Sequence, residues 1–287
     1  MLQHKSLRSV QIQRVQEDRV LTSKDHVAVE QFLELHLIHG YHQERQRDPL
    51  LVTMCSPGHE MDLAIGMLFH LGIVSHLNAV LDIRFCPFTQ TRPDVQVLVV
   101  ELEPEVTVNE QHLKGRQWSN SACGLCGAHP DQLDSPTSNV FPVEWQVSAK
   151  DLYALPALLM EHQALFQLTG GIHAAAYISL SLSGQALAAS LSAYREDVGR
   201  HNALDKVIGH TLRTAQWPLD RGLLLMSSRA SFELLDKAQK AGIHFLATIG
   251  APSSLAVDLA KASNMTLVGF LKSDKFNVYA GAARISS

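Results

Sequence analysis

Cys123 and Cys126 stand three positions apart in Ser-Ala-Cys-Gly-Leu-Cys-Gly, residues 121–127. Thiols at this spacing can chelate a metal, cycle through a disulfide, or accept and pass on a persulfide. The flanking glycines permit unusual backbone angles and leave both sulfurs open to a partner. A free thiol titrates near ~8.5, so a useful nucleophile needs a cationic or dipolar neighbourhood. A structural zinc needs four ligands; Cys55 and Cys86 are single and distant in sequence, and His129 is near enough to be a third ligand. A thioredoxin-type pair belongs where a strand meets a helix, whereas this pair stands in polar loop sequence. Two unreactive thiols are the plainest alternative, although a glycine-flanked pair in a polar loop is a poor place for buried structural cysteine.

A second constellation runs Arg-Glu-Asp-Val-Gly-Arg-His-Asn-Ala-Leu-Asp-Lys from Arg195 to Lys206. Its charges gather ahead of an amphipathic helix carrying Leu204, Val207, Ile208 and Leu212. Arg195, Arg200 and His201 could hold an anion at that helix N-terminus. A capped surface helix with local ion pairs fits the same spacing. A third motif, residues 169–176, places His173 before three alanines, either as a packed, hydrogen-bonded histidine or as a ligand-facing base. His36, His39 and His42 recur at helical spacing, but their segment alternates like a strand and nothing completes a metal motif. A solvated histidine-rich surface is expected there, and no resident metal.

The elements that must position these groups are most readable near the C-terminus. Residues 222–227 form a short apolar run, 231–241 a helix closed by Gly242, and 244–249 a buried-type strand. Pro252, Ser253 and Ser254 open a helix through Ala262, and 266–271 is a third strand. Short links imply parallel pairing with right-handed crossovers. Ligands of such sheets sit beyond the carboxyl ends of the strands. Those ends are Ser227-Ser228-Arg229, Gly250-Ala251-Pro252-Ser253 and Leu271-Lys272. Two of them lead into helix N-termini, so the expected ligand carries phosphate or another negative group. Upstream, strands are expected at 27–38, 51–54, 80–84 and 95–102, and a helix at 61–71. Residues 115–142 are the longest candidate loop and hold the cysteine pair. Residues 148–168 read as helical, with Ser148 and Asp151 in capping-box spacing; Pro156 either kinks this helix or opens its main part, and Gly170-Gly171 ends it.

The 287 residues are 46% hydrophobic, enough for a sizeable core, and the net charge is −4. Without a basic tract the chain is a poor generic nucleic-acid binder. No apolar run approaches the ~18 residues of a membrane span. Residues 1–24 mix charges without an apolar segment, which reads as a loose polar lead-in and not a secretory signal. Four cysteines are too few for a disulfide scaffold and fit the reducing cytoplasm. The expected organisation is a lead-in at 1–26, a strand-rich part at 27–147 and an α/β domain at 148–287.

Together these motifs resemble the FdhD family, the sulfur carriers or sulfurtransferases required for formate dehydrogenase activity. The resemblance is carried by residues 121–127, 169–176, 195–209, 227–243, 251–260 and 266–270, in the family's order, and more loosely by Glu30, Pro57, Gly66 and Gly72-Ile73. It implies that a cysteine desulfurase loads a persulfide onto Cys123, with Cys126 relaying or resolving it. The sulfur would pass to the molybdenum or tungsten bis-guanine-dinucleotide cofactor before insertion into formate dehydrogenase. The family's cofactor-binding stretch maps onto Phe270, Leu271, Lys272, Ser273, Asp274 and Lys275. Arg229, His173, Arg200 and His201 are expected in the same site, because guanine and pyrophosphate suit cationic groups and helix N-termini. A homodimer is implied, as is a cytidine-deaminase-like α/β/α C-terminal domain with a smaller strand-rich N-terminal part. Deaminase chemistry is not expected. Zinc deaminases need H-x-E and P-C-x-x-C, and the comparable segments here read His173-Ala174-Ala175 and Pro252-Ser253-Ser254-Leu255. The chain departs from the family pattern at Glu30-Gln31-Phe32 (usually Glu-x-Pro), His39-Gly40 (Asn-Gly), Leu71-Gly72 (Glu-Gly), Gly250 (Ser), and Lys272 and Lys275 (Arg). A non-catalytic cofactor carrier and a thiol–disulfide oxidoreductase are the alternative readings.

Overall fold

The computed structural model describes residues 6–41, 44–86, 95–109, 113, 140–180, 191–214 and 216–286. The chain opens with a hairpin of β1 (Leu7–Gln16) and β2 (Arg19–Ala28), in register from Leu7↔Ala28 to Gln16↔Arg19. This corrects the loose lead-in. Val10 and Ile12 turn to one half-buried face while Gln11 and Gln13 stay exposed, a period-2 pattern hidden by the high charge.

A four-stranded sheet follows. It comprises β3 (Gln31–His39), β4 (Gln46–Cys55), β5 (Val80–Phe85) and β6 (Val95–Leu102) in the order β4-β3-β6-β5, with β3 and β6 parallel. Helix α1 (Glu60–His70) covers one face. Leu33, Leu35 and Leu37 alternate into that face beside Leu98, Val100 and Leu102, and meet Leu63, Met67 and Leu68 of the helix. The histidines of β3 are not a solvated surface. His39 is 6% exposed with Nε2 3.0 Å from Asp48 Oδ2, and half-buried His36 lies 2.9 Å from Glu34 and accepts from Arg47 Nε. His42 lies outside the described residues.

The second half contains β7 (Val147–Ser148), α2 (Ala149–His162), α3 (Ala164–Thr169), β8 (His173–Ser179), β9 (Leu191–Asp197) and α4 (Arg200–Arg213). It continues through β10 (Gly222–Met226), α5 (Phe232–Lys240), β11 (Phe245–Thr248), α6 (Ser254–Ala262), β12 (Thr266–Gly269), β13 (Asn277–Ala280) and β14 (Ile285–Ser286). Six of these strands form one sheet in the order β13-β12-β11-β10-β8-β9, and β10, β11 and β12 are parallel, as their short links require. Leu224, Met226, Leu246 and Leu267 pack on α4, α5 and α6, whereas Leu223, Leu225, Phe245 and Val268 pack on α2. The fold class is therefore α/β, with helices on both faces of the larger sheet. The Ser148 hydroxyl accepts from the Asp151 N–H at 3.1 Å, as the capping spacing predicts. Pro156 neither starts nor ends α2; the helix runs through it and breaks at Gln163, while Gly170, at φ 65°, closes α3.

The two halves meet where α1 crosses α4. A Cβ on Gly66 would lie 1.9 Å from Asp205 O, and one on Gly209 1.8 Å from Asp62 O, so only glycine permits this approach. Consequently α4 is not a surface helix: every residue from His201 to Gly209 is buried. Among the described residues, no helix is long and apolar enough to cross a membrane.

Candidate functional site: a cationic pocket at the strand ends

Beyond the carboxyl ends of β10 and β11 lies an open cavity of about 300 Å³. Its lining is His173, Arg200, Ser227, Ser228, Arg229, Ile249 and Gly250, with no carboxylate among them. These residues come from four places, and backbone hydrogen bonds fix them mutually. The Ser227 N–H donates to Ala174 O at 3.0 Å, and the Ser227 hydroxyl accepts from the Ala174 N–H at 2.9 Å, which bolts the start of β8 to the end of β10. The Gly250 N–H donates to Ser228 O at 3.1 Å, tying the two strand-end loops together. Gly250 must be small for Arg229 to sit where it does, because a Cβ there would come within 2.9 Å of Arg229 Cγ.

Arg200 is the first residue of α4, whose N-cap, Gly199, supplies no side-chain cap. Helix N-termini favour anions. The turn before it is held by Asp197. Its Oδ1 accepts from Gly199 N–H at 2.9 Å and Asn202 Nδ2 at 3.2 Å, and its Oδ2 from Ser56 N–H at 3.1 Å. Lys206 Nζ lies 2.6 Å from that Oδ2 and donates to Ser56 O at 3.0 Å. Thus the end of β4, more than a hundred residues earlier, braces the turn that presents Arg200. Sequence reading missed this brace, because nothing local to Ser56 or Asn202 signals so distant a partner.

The structure separates the other expected residues. Arg195 is not at the pocket: its Nη2 is 2.7 Å from Asp62 Oδ2, at a buried carboxylate that Arg213 also holds. His201 is 3% exposed, with Nε2 3.0 Å from Glu233 Oε2, and does not line the cavity. Phe270 is 45% exposed, adopts φ 52° and donates its N–H to Gly250 O at 3.1 Å, so it stands beside the pocket on the same loop framework. The Leu271 side chain is 1% exposed in the core. Lys272, Ser273, Asp274 and Lys275 are exposed on a turn closed by Lys272 N–H donating to Lys275 O at 2.8 Å. Cys123 and Cys126 lie outside the described residues. No group of His, Cys, Asp and Glu among the described residues could hold a metal ion.

Burial, and then the neighbouring Arg200 guanidinium, push the His173 imidazole below its ordinary pKa of 6.5, against an opposing pull from Asp197. The pocket at neutral pH therefore presents two guanidinium groups, the Ser227 hydroxyl, a neutral imidazole and a helix N-terminus, while the Ser228 hydroxyl donates to Arg229 O at 3.1 Å. Groups of this kind are complementary to phosphoryl-type anions.

Fold and pocket define an α/β protein with an arginine-lined cavity at the ends of its parallel strands. The FdhD/NarQ family model matches residues 44–286. The chain belongs to the FdhD/NarQ family. It is 41% identical over 268 residues to the sulfur carrier protein FdhD of Nocardia farcinica, covering 92% of this chain and 89% of that one. It is 39% identical over 282 residues to that of Mycobacterium tuberculosis (96% and 97% covered), and 32% identical over 289 residues to that of Sulfolobus acidocaldarius (97% and 98%). A crystal structure from Desulfotalea psychrophila, assigned as a formate dehydrogenase accessory protein, superposes with a TM-score of 0.74 at 20% identity, covering 98% of this chain and all of that one. That likeness is one of fold.

Proposed function

We propose that this protein is a sulfur carrier that serves formate dehydrogenase, with Cys123 as its persulfide residue. Membership of a family whose curated relatives are sulfur carriers, joined to the Cys-Gly-Leu-Cys pair, carries the reading. In loading, the Cys123 thiolate attacks the terminal sulfur of a cysteine desulfurase persulfide. A new S–S bond forms on Cys123, and the desulfurase cysteine leaves as thiolate. In delivery, Cys126 attacks the Cys123 sulfur, the two thiols supply both electrons as they close a disulfide, and hydrosulfide leaves for the acceptor. The acceptor substrate is a molybdenum or tungsten bis-guanine-dinucleotide cofactor. The Arg200–Arg229 pocket, Phe270 on the loop tied to Gly250, and the exposed Lys272 and Lys275 of the turn that follows suit its pyrophosphates and rings. The protein works as a homodimer in the cytoplasm.

Mass spectrometry after incubation with a desulfurase and cysteine tests this directly. One reductant-labile sulfur on Cys123, absent in Cys123→Ala, is expected. Absence of sulfur from both Cys123 and Cys126, with a competent desulfurase, would favour the second reading, a cofactor carrier without sulfur chemistry. That no carboxylate lines this pocket among the described residues is the observation that favours that reading, since such a pocket suits anions with no thiol at all.

A further inference from the structure

We infer that His173 is the proton-linked ligand of the cationic pocket: it takes up a proton as a dianion enters, and so makes the pocket select doubly charged phosphoryl-type groups over singly charged ones. The inference rests on reading this pocket as an anion site and adds to it which charge state is chosen.

The geometry supports it at three points. First, His173 lines the cavity together with Arg200 and Arg229, and among the described residues its ring makes no hydrogen bond, so the imidazole is available to a ligand. Second, its backbone neighbour Ala174 is fastened on both sides to Ser227, which fixes where the ring projects from β8. Third, the charged groups around it are otherwise engaged or of like sign. From β9, Asp197 faces His173 across the ladder but is held by Lys206, Asn202 and two backbone N–H groups. From α4, His201 is paired with Glu233, and Arg200 lines the same cavity, as does Arg229 from the loop after β10.

With water alone in the cavity, a proton on His173 faces guanidinium groups, and burial disfavours it further. A dianion among Arg200, Arg229 and the ring reverses the sign of that field, so binding and protonation assist each other. A monoanion is already neutralised by one guanidinium and draws the proton less. The imidazole thus adds a positive charge only when the ligand carries a second negative one.

Sulfate is the probe, because its charge stays at two negative across roughly pH 5.5 to 8, where histidine titrates; methyl sulfate is the singly charged comparator. The full chain is titrated by calorimetry at several pH values, in two buffers of different ionisation heat. Sulfate affinity is expected to rise as pH falls, by up to about tenfold per unit, with about one proton taken up per sulfate. Methyl sulfate affinity is expected to change less. His173→Gln should show no pH dependence, and His173→Lys, whose charge is fixed, should bind sulfate tightly at pH 8 with a flat profile. A flat wild-type profile, or a wild-type slope retained in either variant, overturns the inference while leaving the anion pocket standing. No sulfate binding by the wild-type chain at any pH overturns the pocket reading and the inference with it.

Discussion

Lys206 and Asp197 place opposite charges 2.6 Å apart with side chains 1% and 0% exposed. Burying such a pair costs desolvation that its mutual attraction only offsets when the remaining hydrogen bonds are made. Here they are, because Asp197 also accepts from Gly199, Asn202 and Ser56. Lys206→Met leaves a buried carboxylate without its cation and is expected to destabilise the fold by about 3–5 kcal/mol, as read by urea denaturation. A shift under 1 kcal/mol would show that the carboxylate is satisfied by its N–H donors alone. Gly250 belongs to the same scale. Gly250→Val must displace Arg229, whose Cγ would lie 2.9 Å and whose backbone Cα and N 3.0 Å from the new Cβ, and is expected to weaken sulfate binding several-fold, with some loss of stability because backbone must give. Unchanged affinity would remove Arg229 from the site. Individual pocket residues were legible where chain topology exposed them: Ser227, Ser228, Arg229 and Gly250 are the ends of readable parallel strands. Arg195 and His201 lie off the cavity because a cationic side chain near a helix N-terminus in sequence can equally be spent on a carboxylate from another element, here Asp62 and Glu233.

The decisive contact between elements is the crossing of α1 and α4. Gly66 and Gly209 bring the two helix backbones together, and that approach sets where the turn before Arg200 meets Ser56. Each glycine faces backbone of the other helix, which cannot swing aside as a side chain would. Gly209→Ala is therefore expected to cost about 3 kcal/mol or more. Its unfolding midpoint should drop accordingly, while Gly72→Ala, with open space around its Cβ, loses only what its φ of 71° demands. Equal midpoints for the two variants would refute the close crossing. Sequence pattern sufficed for β10, α5, β11, α6 and β12, since apolar runs, caps and turn residues agree there. It failed for the β1–β2 hairpin, where exposed charges mask a two-residue alternation, and for α4, whose Asp205 and Lys206 read as surface residues until their partners Lys237 and Asp197 are known.

At the scale of the whole molecule, the buried titratable groups set a pH window. Burial, then Arg195, lowers His59 from 6.5 to about 4. Burial first, then a guanidinium, lowers His173, His210 and His244 in the same direction. In the unfolded chain these histidines take protons near 6.5, whereas the folded chain resists, so the unfolded state binds more protons and stability falls as pH drops below 6.5. Glu196 and Asp205 act oppositely. Burial raises both, against the backbone N–H groups of Phe166 and Leu165 for one and Lys237 for the other, so acidification relieves them. Their relief sets in as pH falls through their raised folded values and offsets part of the loss, and four lowered histidines against two raised carboxyls leave the acid side net destabilised. On the alkaline side, burial and then Asp197 push the Cys55 thiol from 9.0 up to about 12. Burial likewise raises Tyr177 and Tyr194. The unfolded chain releases these protons first, so stability declines as pH rises through 9.0. The melting temperature is expected to be highest between pH 6.5 and 9.0 and to fall on both sides. His244→Phe keeps an aromatic partner for Phe141, whose ring centroid is 4.0 Å away, and should flatten the acid limb. Cys55→Ala should lower the plateau through the cavity it leaves, yet soften the alkaline limb. A melting temperature unchanged between pH 7 and pH 5 would show that these histidines titrate alike in the folded and unfolded chain.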